Sequence, residues 1–150
     1  MRRKDRLISE EAAMEAAKKC MWATVALTDL ENMPYCVAVS PVVDGNAMYF
    51  HCAREGYKTD CLRNNPNVCV SCVAEAKPVP QKFAMEYTSA IIRGKASEVQ
   101  SFSEKVKALK LIAEKYSPGF DSEEEIRKAF GAVCIIRIDI ERISGKQAKF

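Results

Sequence analysis

The sequence predicts a mainly β domain of the α+β class, in which six antiparallel strands close into a small barrel with helices packed outside. Two observations support this prediction: apolar, β-branched runs alternate with turn signals, and several connections are short enough for hairpins. Four further segments have helical spacing or helix caps. A single domain over residues 1–150 is expected, since a chain of 150 residues buries roughly two-thirds of its unfolded surface.

The first half of the chain begins with a helix and continues with three strands. Ser9 is the expected N-cap of a helix that runs through Cys20, because the alanines after it are strong helix formers. Asp44-Gly45-Asn46 is a strong turn signal before the third strand. A short helix over 55–62 should end at Asn64-Asn65-Pro66. The three strands are predicted at 23–28, 34–40 and 47–52.

The second half has three more strands and the clearest helix, over 101–116. A second helix over 122–130 is predicted from a capping box, in which Ser122 is the N-cap and Glu125 stands three residues later. The strands are predicted at 68–73, 83–99 and 133–143. In the 101–116 helix, one apolar face combines Phe102, Val106, Leu109, Ile112 and Ala113. In the 133–143 strand, one face combines Cys134, Ile136, Ile138 and Ile140.

Composition and charge exclude several classes of function. The formal net charge of +3 is small and no Lys/Arg-rich block is present, so a nucleic-acid partner is not expected. The single histidine, His51, excludes metal sites built on two or more histidines, and no metal site is predicted. The sequence contains neither of the glycine-rich phosphate motifs GxGxxG and GxxxxGK[ST].

The cysteines and the apolar runs indicate the compartment. Seven evenly spread cysteines do not form a disulfide framework, which favours a reducing cytoplasm. The longest apolar runs, 20–27 and 35–43, are far shorter than a membrane span. The basic start is not followed by the apolar segment of a signal peptide. We therefore expect a cytoplasmic protein that does not associate with membranes.

Three groups of residues are better explained by structure than by chemistry. Cys69 and Cys72 form a CxxC pattern, but residues three apart in a strand point to opposite faces, so both are expected to be small core residues. A solvated face is expected for the charged residues of the 101–116 helix, which are Glu104, Lys105, Lys107, Lys110, Glu114 and Lys115. Core positions are favoured for four aromatic residues, Trp22, Phe50, Phe83 and Tyr87.

The segment from Tyr49 to Thr59 is a candidate anion site. A predicted strand ends there, and a turn leads into a helix whose first turn carries Lys58 and Thr59. Backbone N–H groups at a helix N-terminus attract anions, and Lys58 adds a positive charge at the same place. A strand-to-helix corner with a surface lysine explains the same residues equally well, so both interpretations stay open.

Five segments together have the order and spacing of a known family, and they cover nearly the whole chain. They are Met1–Arg6, Tyr49–Lys58, Asn65–Val68, Tyr87–Ala96 and Ile143–Lys146. These segments resemble the flavin-binding split-barrel family that includes pyridoxamine 5′-phosphate oxidase, and within it the branch of nitroimidazole-resistance proteins. The resemblance implies a six-stranded split barrel and a homodimer with two FMN molecules at the subunit interface.

The resemblance also implies which residues contact the flavin. His51 and Cys52 match the family's aromatic–hydroxyl pair before the turn, and Lys58 matches its phosphate-binding lysine. Ser89 matches a polar residue that approaches the flavin across the interface. The strand along the isoalloxazine edge is matched by residues 36–41. The remaining expected cofactor-binding residues are Val39, Ser40, Pro41, Ala53 and Thr59.

The sequence departs from the oxidase branch at several positions. Tyr57 and Cys36 stand where that branch has arginines, so weaker phosphate binding is expected and FAD is considered beside FMN. Whether Arg54 compensates for one of these losses stays open. The oxidase's Arg/Trp-rich C-terminal segment is not matched, so pyridoxamine oxidation is not expected.

The leading hypothesis is an FMN-dependent, nitroreductase-like oxidoreductase that passes electrons from NAD(P)H or another donor to a small acceptor. His51 is the predicted catalytic residue, since an imidazole can deliver a proton near neutral pH. The alternative is a haem-binding or haem-handling split-barrel protein with His51 as axial ligand, favoured by one histidine beside Cys52 at the mouth of the site. A flavin-binding or storage module without turnover also stays open.

Overall fold

The computed structural model describes residues 3–150, which form four α-helices and an eight-stranded sheet. Met1 and Arg2, which belong to the N-terminal segment used for the resemblance, lie outside the described residues. The helices are α1 (Glu10–Lys19), α2 (Tyr57–Asn64), α3 (Phe102–Tyr116) and α4 (Glu123–Ala129). The strands are β1 (Leu7–Ile8), β2 (Ala23–Thr28), β3 (Pro34–Val39), β4 (Val42–Asp44), β5 (Ala47–Ala53), β6 (Asn67–Val79), β7 (Ala84–Glu98) and β8 (Val133–Ala148).

Neighbouring strands of the sheet all run antiparallel, in the order β3-β2-β6-β7-β8-β5-β4, and β1 pairs with β8. The predicted fold class, a mainly β split barrel with flanking helices, is confirmed. The sequence did not predict β1 and β4, because two and three residues are too short to show a period. β6 and β8 continue to Val79 and Ala148, beyond the predicted ends, since both extensions pair with β7.

One apolar core fills the space enclosed by the sheet. α1 packs against β6, β7 and β8, and it contributes three buried alanines. Gly145 of β8 permits this close approach, because a Cβ at that position would stand 2.8 Å from the Cβ of Ala13 and from the side chain of Ile8. The largest fully buried side chains of this core are those of Phe50, Met48, Ile92 and Ile138.

One of the two predicted helix caps, the one at Ser9, is confirmed. The Ser9 hydroxyl accepts a hydrogen bond from the Ala12 N–H at 3.2 Å, and Ser101 caps α3 in the same way. The capping box at Ser122 is wrong: the Glu123 N–H donates to Asp121 Oδ1 at 3.0 Å instead. Ser122 has helical backbone angles (φ −101°, ψ −3°), whereas a capping side chain needs an extended residue to reach the first helical N–H groups.

α3 lies on the outer face of β5 and β8 and forms a second, smaller core there. Leu109 and Ile112 are buried against Tyr49 and Ile135, as the predicted apolar face of this helix requires. Phe102, assigned to the same face, is 72% exposed and contacts Phe130 with ring centroids 5.0 Å apart. It occupies the first position of the helix, one turn or more before the buried residues Ala108, Leu109 and Ile112.

The expectation of core positions is wrong for two of the four aromatic residues. Phe50 is fully buried, but Trp22 is 62% exposed and Phe83 is 100% exposed. Trp22 lies in the connection before β2, and Phe83 lies at the tip of the β6–β7 hairpin with a positive φ of 48°. Tyr87 is half-buried.

Cys69 and Cys72 point to opposite faces of a strand, as the sequence predicts. Cys72 is buried and Cys69 is half-buried, on opposite faces of β6. Within residues 3–150, no group of three or more His, Cys, Asp or Glu side chains is arranged to hold a metal ion. None of the helices in this range is both long enough and apolar enough to cross a membrane.

Candidate functional site

His51 lies near the end of β5, on the face that α3 covers, and its side chain is exposed. It lines a cavity of about 560 Å³ between β5, β8 and the α3–α4 segment, here called the α3–α4 cavity. Apolar side chains form most of the wall: Leu109, Ile112, Phe120, Ile126 and Val133. Asp121 and Glu125 add polar groups, and Glu125 forms an ion pair with Lys128 at 3.1 Å. The cavity can therefore take a small, largely apolar molecule beside one imidazole.

The side chains of His51 and Cys52 point to opposite faces of β5. Strand alternation places His51 with Tyr49 on the outer face, whereas Cys52 joins Phe50 on the inner face. There the Cys52 Sγ lies 3.3 Å from the Sγ of Cys134. The structure therefore does not bring the side chains of His51 and Cys52 together. A single ligand could contact both residues only through the backbone of β5.

The first turn of α2 follows β5 directly and carries the predicted phosphate residues. Gly56 is the N-cap, with a φ of 156° that favours glycine, and a Cβ built there would meet no atom of the described chain within 4 Å. The Lys58 Nζ lies 5.6 Å from the ring centroid of Phe50. N–H groups of a first helical turn have no partner within the helix. Lys58 and these N–H groups together form an open, positively polarised corner.

Thr59, predicted to bind the cofactor, is engaged within its own helix. Its hydroxyl donates a hydrogen bond to the Gly56 carbonyl at 2.6 Å, and the residue is only 3% exposed. The Thr59 side chain therefore fixes the N-terminal turn of α2. Its contribution to anion binding is limited to its backbone N–H.

Arg54 and Arg63 form hydrogen bonds that fix the backbone between the end of β5 and the start of α2. The Arg54 guanidinium donates to the Gly131 carbonyl at 3.1 Å, which ties the end of β5 to the turn before β8. Arg63 donates to the Arg54 carbonyl at 3.3 Å and pairs with Glu98 at 3.1 Å. Arg54 therefore holds the backbone of the corner through Gly131, and its compensation for a missing phosphate-binding arginine stays a prediction.

The C-terminal turn of α3 holds the predicted flavin-edge segment in place. The Lys115 Nζ donates to the carbonyls of Cys20 and Pro41, both at 2.7 Å, and the Tyr116 hydroxyl donates to the Pro41 carbonyl at 2.8 Å. Burial lowers the pKa of Lys115 and raises that of Tyr116 to about 12. Val42 pairs with Tyr49, so the residues just before Val42 lie toward the His51 end of β5.

The prediction of a solvated charged face on α3 is wrong at three positions. Lys115 is half-buried and forms the two hydrogen bonds described above. Lys105 is also half-buried, and its Nζ donates to the carbonyls of Phe130 and Val133, both at 2.6 Å. Glu104 Oε1 accepts from the Tyr49 hydroxyl at 2.8 Å and from Arg137 at 2.6 Å. Lys115 and Tyr116 stand three and four residues after the buried Ile112, and this helical spacing is the signal that could have identified them.

The Tyr49–Glu104–Arg137 group fastens the first turn of α3 to β5 and β8. The hydrogen bond between Arg137 and Glu104 lowers the pKa of the Glu104 carboxyl group and raises the pKa of the Arg137 guanidinium. Burial, together with the bond to Glu104, raises the pKa of Tyr49 to about 12. One wall of the α3–α4 cavity is thereby anchored at both ends of α3.

The remaining predicted site residues lie in different places. Val39 is buried at the end of β3, Ser40 is exposed, and Pro41 is buried. Ser89 lies on β7 opposite Val73 and Lys146, far from the Lys58 corner. Along β7 it is nine residues from Glu98, the partner of Arg63, which corresponds to roughly 30 Å in a strand. The single chain therefore gathers Ser40, Pro41 and His51 but not Ser89.

Comparison with known proteins matches most of the chain to one family. A family model described as pyridoxamine 5′-phosphate oxidase matches residues 9–147. No curated protein matches the chain significantly.

Several solved structures share the fold. A candidate 5-nitroimidazole antibiotic resistance protein from Bacteroides thetaiotaomicron is 26% identical, with 93% of this chain and 85% of that chain covered and a TM-score of 0.79. A FAD-binding protein from Mesorhizobium loti is 18% identical, covering 96% and 98%, with a TM-score of 0.71. A FAD and heme binding protein from Mycobacterium smegmatis is 18% identical, covering 95% and 72%, with a TM-score of 0.76.

Proposed function

This chain belongs to the pyridoxamine 5′-phosphate oxidase family, and we propose that it is an FMN-dependent oxidoreductase that reduces a small organic acceptor. The observation that carries the proposal is the arrangement at the end of β5. On one side, Lys58 and the first turn of α2 form an open anion-binding corner. On the other side, His51 opens into the apolar α3–α4 cavity. A phosphate-bearing cofactor and an apolar substrate would thus be held at the same end of β5, the phosphate near Lys58 and the substrate near His51.

The corner fits the phosphate of a flavin mononucleotide. The Lys58 ammonium and the backbone N–H groups of the first α2 turn are donors of the kind that bind a phosphate, and a Cβ at Gly56, the N-cap of α2, would meet no described atom within 4 Å. Tyr57 offers no second cation; its ring packs edge-on against Tyr35 with centroids 5.3 Å apart. We propose FMN as the cofactor on this basis, with FAD as the competing ligand in a binding test.

The proposed ring site is formed by the Ser40–Pro41 segment and the backbone of β5. When bound there, a flavin supplies hydride or single-electron chemistry. Lys115 and Tyr116 fix the Pro41 carbonyl, so the segment along the ring edge is rigid. His51 would hold a proton at the imidazole ring for delivery to the substrate, and the apolar wall of the cavity would exclude water from that step.

A nitroaromatic compound is the first acceptor to test. The Bacteroides thetaiotaomicron relative supports this choice, since it is described as a candidate 5-nitroimidazole resistance protein. The α3–α4 cavity is large enough for one aromatic ring, and its wall is mostly apolar. NAD(P)H is the proposed electron donor.

A second copy of the chain is proposed to complete the flavin site. Ser89 is far from Lys58 within one chain, so it can approach the same flavin only from a partner. The part of the β6–β7 hairpin around Ser89 exposes the apolar side chains of Val73, Met85 and Ile91, which a partner would cover. We therefore propose a homodimer with the flavin at the interface.

The direct test of this function is spectroscopic and kinetic. The purified protein, supplied with FMN, should show the two absorption bands of a bound flavin, and NAD(P)H should bleach them. Addition of a nitroimidazole should restore the bands as the acceptor takes the electrons. Flavin bands that NAD(P)H leaves unchanged, or a reduced flavin that a nitroimidazole does not reoxidise in the absence of oxygen, would contradict this function.

Haem binding is a second candidate, favoured by the exposed His51 at the edge of an apolar cavity. The Mycobacterium smegmatis relative is described as binding both FAD and heme, which supports testing both ligands. A Soret band that appears on haem titration and disappears in His51→Ala would favour this function. Haem binding that is unchanged in His51→Ala would count against His51 as axial ligand.

A further inference from the structure

Two cysteines face each other across the β5–β8 ladder. Cys52 and Cys134 are direct partners in the antiparallel register, and their sulfur atoms are 3.3 Å apart. They form the second-last pair at this end of the ladder, next to the final pair Ala53 and Val133. The flavin function proposed above uses neither thiol.

We propose that Cys52 and Cys134 form a redox-active dithiol site that hydroperoxides oxidise to a reversible cross-strand disulfide. The backbone already has the required spacing. Directly opposite residues of antiparallel strands have Cα atoms about 4.5–5.5 Å apart, and disulfides span Cα distances of about 4.4–6.8 Å. Closing the sulfur separation from 3.3 Å to a bond of about 2.05 Å is a small side-chain movement at a strand end.

The two thiols have different environments, which assigns them different roles. Cys134 is 3% exposed, and its Sγ lies within 3.5 Å of the Ala53 carbonyl. Burial raises the pKa of Cys134 to about 12, so this thiol stays protonated. Cys52 is half-buried, so it is the more accessible residue of the pair and the one better placed to meet a small peroxide. Cys52 is the attacking thiol, and Cys134 is the resolving thiol.

The reaction balances with one hydroperoxide as the oxidant. The Cys52 thiolate attacks the O–O bond, which breaks; Cys52 becomes a sulfenic acid, and the leaving oxygen takes a proton and departs as water or an alcohol. The Cys134 sulfur then attacks the Cys52 sulfur, loses its proton and displaces water as the S–S bond forms. The two sulfurs lose two electrons, and the O–O bond gains them. An external dithiol reverses the change.

The other cysteines are less suited to this chemistry. Cys20, Cys61 and Cys72 are fully buried, so a peroxide cannot reach them from solvent. Cys36 and Cys69 are more accessible, but both pair with Ala26, on opposite sides of β2. Two strand spacings of about 4.8 Å separate them, which is beyond the reach of a disulfide. The site should therefore form one specific bond.

The test is peroxide treatment of the full-length protein, followed by peptide mapping under non-reducing conditions. We expect a single linked peptide pair that joins Cys52 to Cys134, the loss of two thiols, and recovery of both after dithiothreitol. In Cys134→Ser, a sulfenic acid at Cys52 should be trapped by dimedone. The control variant Cys69→Ser should still form the disulfide. The experiment needs no flavin, so its result is independent of the proposed oxidoreductase function.

Three results would overturn the proposal. One is a wild-type protein in which Cys52 and Cys134 keep their thiols after treatment with hydrogen peroxide. Another is direct conversion of Cys52 to sulfinic or sulfonic acid with no linked peptide. The third is a disulfide that forms equally well between other cysteines of the chain. Because peptide mapping is done on the wild type, a variant that fails to fold does not affect these outcomes.

Discussion

The side-chain ammonium of Lys115 donates a 2.7 Å hydrogen bond to the carbonyl of Pro41, across 74 positions of the sequence. The same ammonium donates to the Cys20 carbonyl, so one side chain joins the end of α3, the connection after α1 and the segment before β4. Tyr116 adds a second hydrogen bond to Pro41. This contact fixes the segment that we propose to lie along the flavin ring.

Lys115→Met should lower the free energy of unfolding by about 1–3 kcal/mol, because it removes the donor to the Cys20 carbonyl and leaves the Pro41 carbonyl with Tyr116 as its donor. It should also weaken FMN binding, since the Ser40–Pro41 segment becomes less fixed. Denaturant unfolding and FMN titration measure the two effects. The matched control is Lys110→Met, at an exposed position of the same helix. Equal effects of both substitutions would contradict a specific role for Lys115.

Gly145→Ala should destabilise the protein, because the new Cβ would lie 2.8 Å from Ala13 and Ile8. Overpacking of this kind costs about 1–3 kcal/mol. Gly131→Ala is the control, since a Cβ there meets no atom of the described residues within 4 Å. Thermal unfolding should show a lower midpoint for Gly145→Ala and little change for Gly131→Ala. A normal midpoint for Gly145→Ala would show that α1 does not pack as described.

The bond between Glu104 and Arg137 should make part of the stability depend on pH. The folded state holds the pKa of Glu104 below its ordinary value, so this contribution is present above the unfolded-state pKa. It should be lost as the pH falls through the lowered, folded-state pKa. Glu104→Gln should reduce the free energy of unfolding by about 1 kcal/mol at neutral pH.

The difference between wild type and Glu104→Gln should shrink toward zero in acid, as denaturant unfolding at a series of pH values can show. Glu114→Gln, at an exposed position of α3, is the control and should change little at any pH. A difference that grows as the pH falls would have the wrong sign and would refute this account of Glu104.

His51→Ala should lower the rate of nitroaromatic reduction by about 100-fold or more, the usual contribution of a general acid. FMN affinity should change little, because the imidazole faces the α3–α4 cavity and not the Lys58 corner. Steady-state kinetics and FMN titration on the same preparation separate the two effects. Equal losses of rate and affinity would show that His51 binds the cofactor instead.

Much of the fold follows from local sequence signals. The six longer strands, the turn at Asp44-Gly45-Asn46 and the cap at Ser9 were each predicted from a few neighbouring residues. The prediction at Ser122 failed, because a capping motif shows which side chains are present but not the backbone angles. The predicted core position of Phe83 also failed, since the residue lies at a hairpin tip.

The site was only partly predictable. Lys58 was proposed because a strand, a turn and a helix start follow one another in sequence, and His51 was proposed because it is the single histidine of the chain. Lys115 was not, since a lysine on an amphipathic helix normally faces solvent, and its carbonyl partners come from distant segments. The pairing of Cys52 with Cys134 depends on the register of β5 with β8, which the sequence does not state.

The most direct test of the central claim is a pair of titrations, with FMN and with riboflavin, which lacks the phosphate. Wild-type protein should bind FMN more tightly than riboflavin. Lys58→Ala should weaken FMN binding by about 10- to 100-fold, the loss of one charge-assisted hydrogen bond, and leave riboflavin binding nearly unchanged. Lys110→Ala should behave as wild type. Unaltered FMN affinity in Lys58→Ala, or a wild type that binds neither flavin, would contradict a flavin phosphate site at the start of α2.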